Sequence, residues 1–177
     1  MNELQRTNSY SKEKRESTFK ITDQLIDAQT KALAGTRAHT LFESIKYNNF
    51  LQDTQLLQSL TKEQTAAIQY LKTLQDIPFQ EIMNHGAVEF GFKLKIANYV
   101  IQGQIDAWGQ VGSKVYLLDY KTGDQKYTDK AFAQLELYAQ CLARMNQISN
   151  TSEVILAAIF PFENKTILKK ATNVFNY

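Results

Sequence analysis

Asp119 and Lys121, in the stretch "YLLDYKTG" (Tyr116 to Gly123), stand two residues apart at the end of an apolar run. On an extended strand that spacing puts both side chains on one face. Alone, the pair fits either a surface ion pair, worth little, or half of an active site. Asp106 closes an earlier run, "YVIQGQID", thirteen positions before Asp119. A hairpin through "AWGQVGSK" returns the chain so that the two carboxylates converge from adjacent strands. Paired hard oxygen donors suit Mg²⁺ or Mn²⁺, which take carboxylate, carbonyl and water ligands. The Tyr120 carbonyl offers another oxygen. Lys121 then suits the orientation of an attacking water and the neutralisation of charge on a phosphoryl oxygen.

These residues need elements to hold them. Residues 1–20, with the cluster "KEKR", are polar and without period, which predicts a tail or linker before one ordered domain over 21–177, starting near Phe19. Ala38, Leu41, Phe42 and Ile45 follow helical spacing, with His39 and Glu43 beside that stripe one turn apart. Thr61 and Gln64 have capping-box spacing before Ile68, Leu71 and Leu74. Pro78 closes that helix or bounds a short next one. From His85 the chain is rich in β-branched and aromatic residues, broken by Asn98, Gly109 and Gly112, which predicts three antiparallel strands. Ala131, Leu135, Tyr138, Leu142 and Met145 mark a second helix, and "EVILAAIF" a buried strand ended by Pro161. The expected fold is α/β, ordered helix, three strands, helix, strand, with a central mixed sheet flanked by helices.

At 177 residues, one domain is expected. No apolar run approaches the ~20 residues of a membrane span, and the N-terminus lacks a secretory core, so a cytoplasmic protein with no membrane partner is expected. A formal charge of +2 neither announces nor forbids a polyanion partner. The lone cysteine, Cys141, cannot by itself hold an iron–sulfur cluster or zinc, and its surroundings predict a packed thiol. "GAVEFGFK" imitates a phosphate loop, but Phe92 separates the second glycine from Lys93 and no Ser or Thr follows, so no nucleotide site is read from it.

"GQID" followed by "DYK" resembles the PD-(D/E)XK nuclease superfamily. "GTRAH" (Gly35 to His39), Glu89, "DYKTG" and "QLELY" (Gln134 to Tyr138) resemble, in order, its RecB-type branch, the nuclease domain of bacterial helicase–nuclease machines. The likeness spans residues 35–138. It implies a restriction-endonuclease-like core and His39, Asp106, Asp119 and the Tyr120 carbonyl as metal ligands. Lys121 becomes the catalytic lysine, Gln134 and Tyr138 line the site, and Glu89 is a possible second-shell or second-metal group. It further implies a Mg²⁺- or Mn²⁺-dependent deoxyribonuclease, an exonuclease of DNA repair or recombination leaving 5′-phosphate and 3′-hydroxyl ends. DNA is the substrate and a helicase domain or subunit a possible partner. The cysteines of cluster-bearing relatives are missing, which implies a member without an iron–sulfur cluster. The alternative is a weak or inactive nuclease-fold module that binds DNA or docks on a helicase.

Some residues keep two readings in the sequence. His39 alone fits a hydrogen-bonded helix histidine, Tyr138 fits core packing as well as a place facing substrate, and Gln134 and Glu89 fit solvated positions. Trp108 and Tyr127, placed in loops flanking the site, fit stacking on unpaired bases or simple exposure.

Overall fold

The computed structural model describes residues 23–47, 58–123, 125–172 and 174–175. The predicted polar tail and the domain start near Phe19 lie outside them. Helices α1 (Asp23–Tyr47), α2 (Lys62–Thr73) and α3 (Phe79–His85) precede strands β1 (Ala87–Ile96), β2 (Tyr99–Val111) and β3 (Lys114–Tyr120). Helix α4 (Thr128–Arg144) and strands β4 (Glu153–Phe160) and β5 (Lys165–Lys170) follow.

The five strands form one sheet in the order β1-β2-β3-β4-β5. β3 and β4 are parallel and the other neighbours antiparallel. A parallel pair needs a crossover connection, and α4 supplies it. The central strands are buried on both faces. Val115, Leu117, Leu156 and Ala158 join Leu135 and Leu142 of α4 in one core cluster. Leu118, Ala157 and Ile159 join Phe42, Ile68, Leu71 and Ile82 of α1, α2 and α3 in the other. Burial on two sides explains why β4 reads as an unbroken apolar run. The expected mixed α/β sheet between helical layers is the observed architecture.

Local chemistry sets several boundaries. Thr61 and Gln64 form the predicted capping box at the start of α2, side chain to backbone in both directions. Pro78 takes the N-cap position of α3. Cys141 is buried in α4, where burial raises its thiol pKa. The strand breaks differ in one place from the sequence reading: β1 turns into β2 at Ala97 and Asn98, and β2 into β3 at Gly112 and Ser113, whereas Gly109 lies within β2, paired with Tyr116. Ala97 and Gly112 take the left-handed backbone of these tight turns. Strand β5 has no counterpart in the predicted order. It is short, lysine-rich and at the sheet edge, so it lacks the buried alternation that identifies a strand in sequence. Among the described residues no helix is long and apolar enough to cross a membrane.

Candidate metal centre and active site

Registers across the first three strands place three carboxylates in a row. Val88 pairs with Ala107 and Phe90 with Ile105, so Glu89 stands opposite Asp106. Ala107 pairs with Leu118, so Asp106 in turn stands opposite Asp119. Glu89 has a left-handed backbone, φ 48°, costly for a residue with a side chain, and Glu89 and Asp106 are left out of the strand ladder. The two-residue alternation slips by one here: Phe90 and Ile105 pack toward α4, while Val88 and Ala107 pack toward α1 to α3. The slip sets Glu89 and Asp106 at the crossing between the two faces.

Helix α1 brings His39 to this row. Its buried Ala38, Phe42 and Ile45 hold the helix against the sheet. An added methyl at Gly35 would stand 3.3 Å from Thr122 Oγ1, so the helix also lies close to the segment after β3. His39 Nδ1 sits 3.3 Å from Asp106 Oδ1. Asp106 Oδ2 accepts the backbone N–H of Tyr120 at 2.6 Å, which fixes the carboxylate. His39, Glu89 and Asp106, all half-buried, offer one ligand atom each within 4.8 Å of one another. Imidazole nitrogen with carboxylate oxygens suits a divalent cation, so this donor set fits the metal dependence of the expected chemistry. Glu89 thus stands among the potential direct ligands, a position open to the second-metal role as well as to the second-shell one.

Electrostatics set these groups apart from ordinary surface acids. The hydrogen bond to Asp106 raises the His39 pKa against the opposing effect of burial. Burial, then the neighbouring Asp106, raises Glu89. Asp119 is pushed up to about 6 by burial and by Asp106, against the pull of Lys121. Its Oδ2 is paired with the Lys121 ammonium at 2.7 Å. A half-buried carboxylate whose pKa is raised, beside a lysine and a His/Glu/Asp group, has a ready use for a cation.

Lys121 also lines a cleft of about 410 Å³ with Tyr127, Lys130, Ala131 and Gln134. Gln134 therefore comes to the lysine side of the site. Its amide donates to the Tyr138 hydroxyl at 2.6 Å. The Tyr138 ring itself packs edge-on against Phe92, 9% exposed, in the core toward α4. It crosses β2 at Gly103, where an added methyl would lie 2.6 Å from the ring. The glycine of "GQID" and the tyrosine of "QLELY" therefore fit one another. The Tyr120 side chain is buried, edge-on to His39 and packed on Phe42, and burial raises its pKa.

Tyr127 is 57% exposed beside the cleft, in a short turn of 3₁₀ helix. Trp108 is not in a loop: it lies in β2, packed edge-on to Phe90, because β2 runs on past Asp106 as far as Val111. The sequence reading gave no role to two neighbours of the row. Gln104, inside "GQID", donates to Glu89, and Glu43, one helical turn after His39, raises the Glu89 pKa through its charge. The i, i+4 spacing of His39 and Glu43 was the available signal.

A family model described as the PD-(D/E)XK nuclease superfamily matches residues 4–174. No curated protein matches the chain significantly.

Proposed function

The chain belongs to the PD-(D/E)XK nuclease superfamily, and from that premise we propose that it is a Mg²⁺- or Mn²⁺-dependent deoxyribonuclease of the RecB type. The observation that carries this reading is the meeting of His39, Glu89 and Asp106 beside the half-buried Asp119–Lys121 pair. His39, Asp106 and Glu89 hold the cation, with Asp119 and the Tyr120 carbonyl beside them. The cation supplies electrophilic stabilisation of the phosphoryl oxygens. Lys121, held by Asp119, orients the attacking water and balances charge as it develops. Water adds to phosphorus, the bond to the 3′ oxygen breaks, and that oxygen takes up a proton. The products are a 5′-phosphate and a 3′-hydroxyl. Gln134 lines the lysine side of the cleft, and Tyr138 holds it there from the core.

The order of "GTRAH", "GQID", "DYKTG" and "QLELY" supports the RecB-type assignment. With it go a single nuclease domain over 21–177, a cytoplasmic role in DNA repair or recombination, exonucleolytic action, and a helicase domain or subunit as partner. The lone, buried Cys141 supports a place among members without an iron–sulfur cluster. Incubating the protein with labelled linear and circular DNA and Mg²⁺ or Mn²⁺ tests the reading. Linear DNA is degraded, circular DNA is spared, and Asp119→Ala or Lys121→Ala lowers the rate by about 10²-fold or more. Metal-dependent cleavage that survives both substitutions would refute the assignment.

A further inference from the structure

Toward its beginning β2 outruns β3: the β2–β3 pairing spans Ala107 to Val111 of β2, while residues 99–105 pair with β1 alone. Strands β1 and β2 thus form a two-stranded arm about 20 Å long at ~3.3 Å per residue. One face of the arm is apolar: Phe90, Phe92, Leu94, Ile101 and Ile105 pack toward α4. The other face carries Lys93, Lys95, Gln102 and Gln104, all exposed, with exposed Val100 opposite Lys95 near the tip. Lys93 stands opposite Gln102, and Gly91 opposite Gln104. A shallow depression of about 630 Å³ is bounded by Gly91 to Lys93 and Gln102 to Gln104. The polar face holds no carboxylate until it reaches Glu89, to which Gln104 donates a hydrogen bond. It therefore runs straight into the His39/Glu89/Asp106 group.

We propose that this polar face of the β1–β2 arm is the surface on which double-helical DNA lies, Lys93 and Lys95 meeting phosphates and Gln102 facing base edges. The proposal rests on the nuclease reading above for the nature of the substrate. A two-stranded ribbon fits the major groove of B-form DNA, lysines suit phosphate oxygens, and a glutamine amide can pair with adenine. Continuity of the arm with the metal centre carries the bound duplex to the reacting residues. Lysines on an edge strand also discourage pairing between molecules, and that role alone leaves DNA affinity untouched.

Anisotropy titrations of a labelled 20-base-pair duplex, and of one of its strands, over a range of salt in EDTA separate these cases without any cleavage. Lys93→Gln/Lys95→Gln is expected to weaken duplex binding about tenfold or more and to lower the slope of log affinity against log salt by roughly 2, about one for each phosphate no longer neutralised. Gln102→Ala weakens binding with the slope unchanged. Lys114→Gln, exposed at the other end of the sheet, changes neither. Thermal melts of each variant confirm that it folds. An unchanged slope for the double variant, an equal loss in Lys114→Gln, or an equal loss for the single strand overturns the proposal. Should the wild type cleave DNA while the slope stays fixed, the arm assignment fails and the nuclease reading survives. Should the slope fall as expected in a chain that cleaves nothing, the nuclease reading fails and the arm assignment stands.

Discussion

At 3.3 Å, His39 Nδ1 and Asp106 Oδ1 share either a proton or a cation, and the two compete for the same place. The raised pKa of His39 and the value of about 6 for Asp119 both strengthen the proton's side of that competition. Mn²⁺ affinity, followed by calorimetry, is therefore expected to fall at least tenfold from pH 8 to pH 6, and His39→Ala to weaken binding further at both. Equal affinity at the two pH values would show that neither residue must lose a proton to bind metal. Asp119 makes a second, metal-free prediction. Its folded pKa lies above the unfolded value, so its favourable contribution is fully present below about 4 and is lost as pH rises through about 6. Asp119→Asn, which cannot ionise, should be more stable than wild type in EDTA at pH 7.5 by up to about 3 kcal/mol, and so melt higher, with the difference gone near pH 4. A lower melting temperature at pH 7.5 would mean that the Lys121 pair outweighs the cost of burial. The Asp119–Lys121 contact was legible because it depends only on strand spacing. The position of Glu89 among the potential ligands was not, since nothing in its neighbours announces a left-handed backbone at a glutamate.

Elements position these residues by close contacts between segments far apart in sequence. Gly103 lets the Tyr138 ring lie across β2, which locks α4, and with it Gln134, to the strand that carries Asp106. Gly103→Ala should cost about 1–3 kcal/mol through overpacking. In a Tyr138→Ala background the same change should cost less, because the nearest contact is gone and Phe92 Cζ, 2.8 Å from the added methyl, can move into the vacated space. Denaturant melts of the four proteins measure that coupling, and additive losses would show that the glycine serves the backbone instead. Sequence spacing put Gln134 and Tyr138 on one helical face, as observed. It could not divide them between cleft and core, a division that depends on the missing side chain at Gly103. Helix α2 was easier, because a capping box is written within four residues. Thr61→Ala is expected to cost about 1 kcal/mol. The slip of alternation at Glu89 and Asp106 defeated simple period counting for the opposite reason: it arises from a backbone change that pattern alone does not encode.

Over the whole molecule, the candidate metal centre joins helix α1 to the first three strands of the sheet. His39 comes from α1, Glu89 from β1 and Asp106 from β2, with Asp119 at the end of β3 beside them. The sheet follows from three antiparallel connections, β1–β2, β2–β3 and β4–β5, and one α4 crossover, and apolar strands and helical stripes made all of it except the edge strand β5 readable in the sequence. The meeting of α1 with the carboxylate row was not readable from periodicity, because it depends on how the first helix crosses the sheet. A ligand that binds only the folded state stabilises it by mass action, about 2.7 kcal/mol at a hundred times its dissociation constant. Mn²⁺ at that level should therefore raise the melting temperature, and it should slow amide hydrogen exchange in α1 as well as in the strands, since His39 then ties the helix to Asp106. His39→Ala should keep part of the thermal shift while losing the protection of α1, whereas Asp106→Asn should lose most of both. Protection confined to the strands in the wild type would remove His39 from the ligand set and leave Glu89, Asp106 and Asp119 to hold the ion alone.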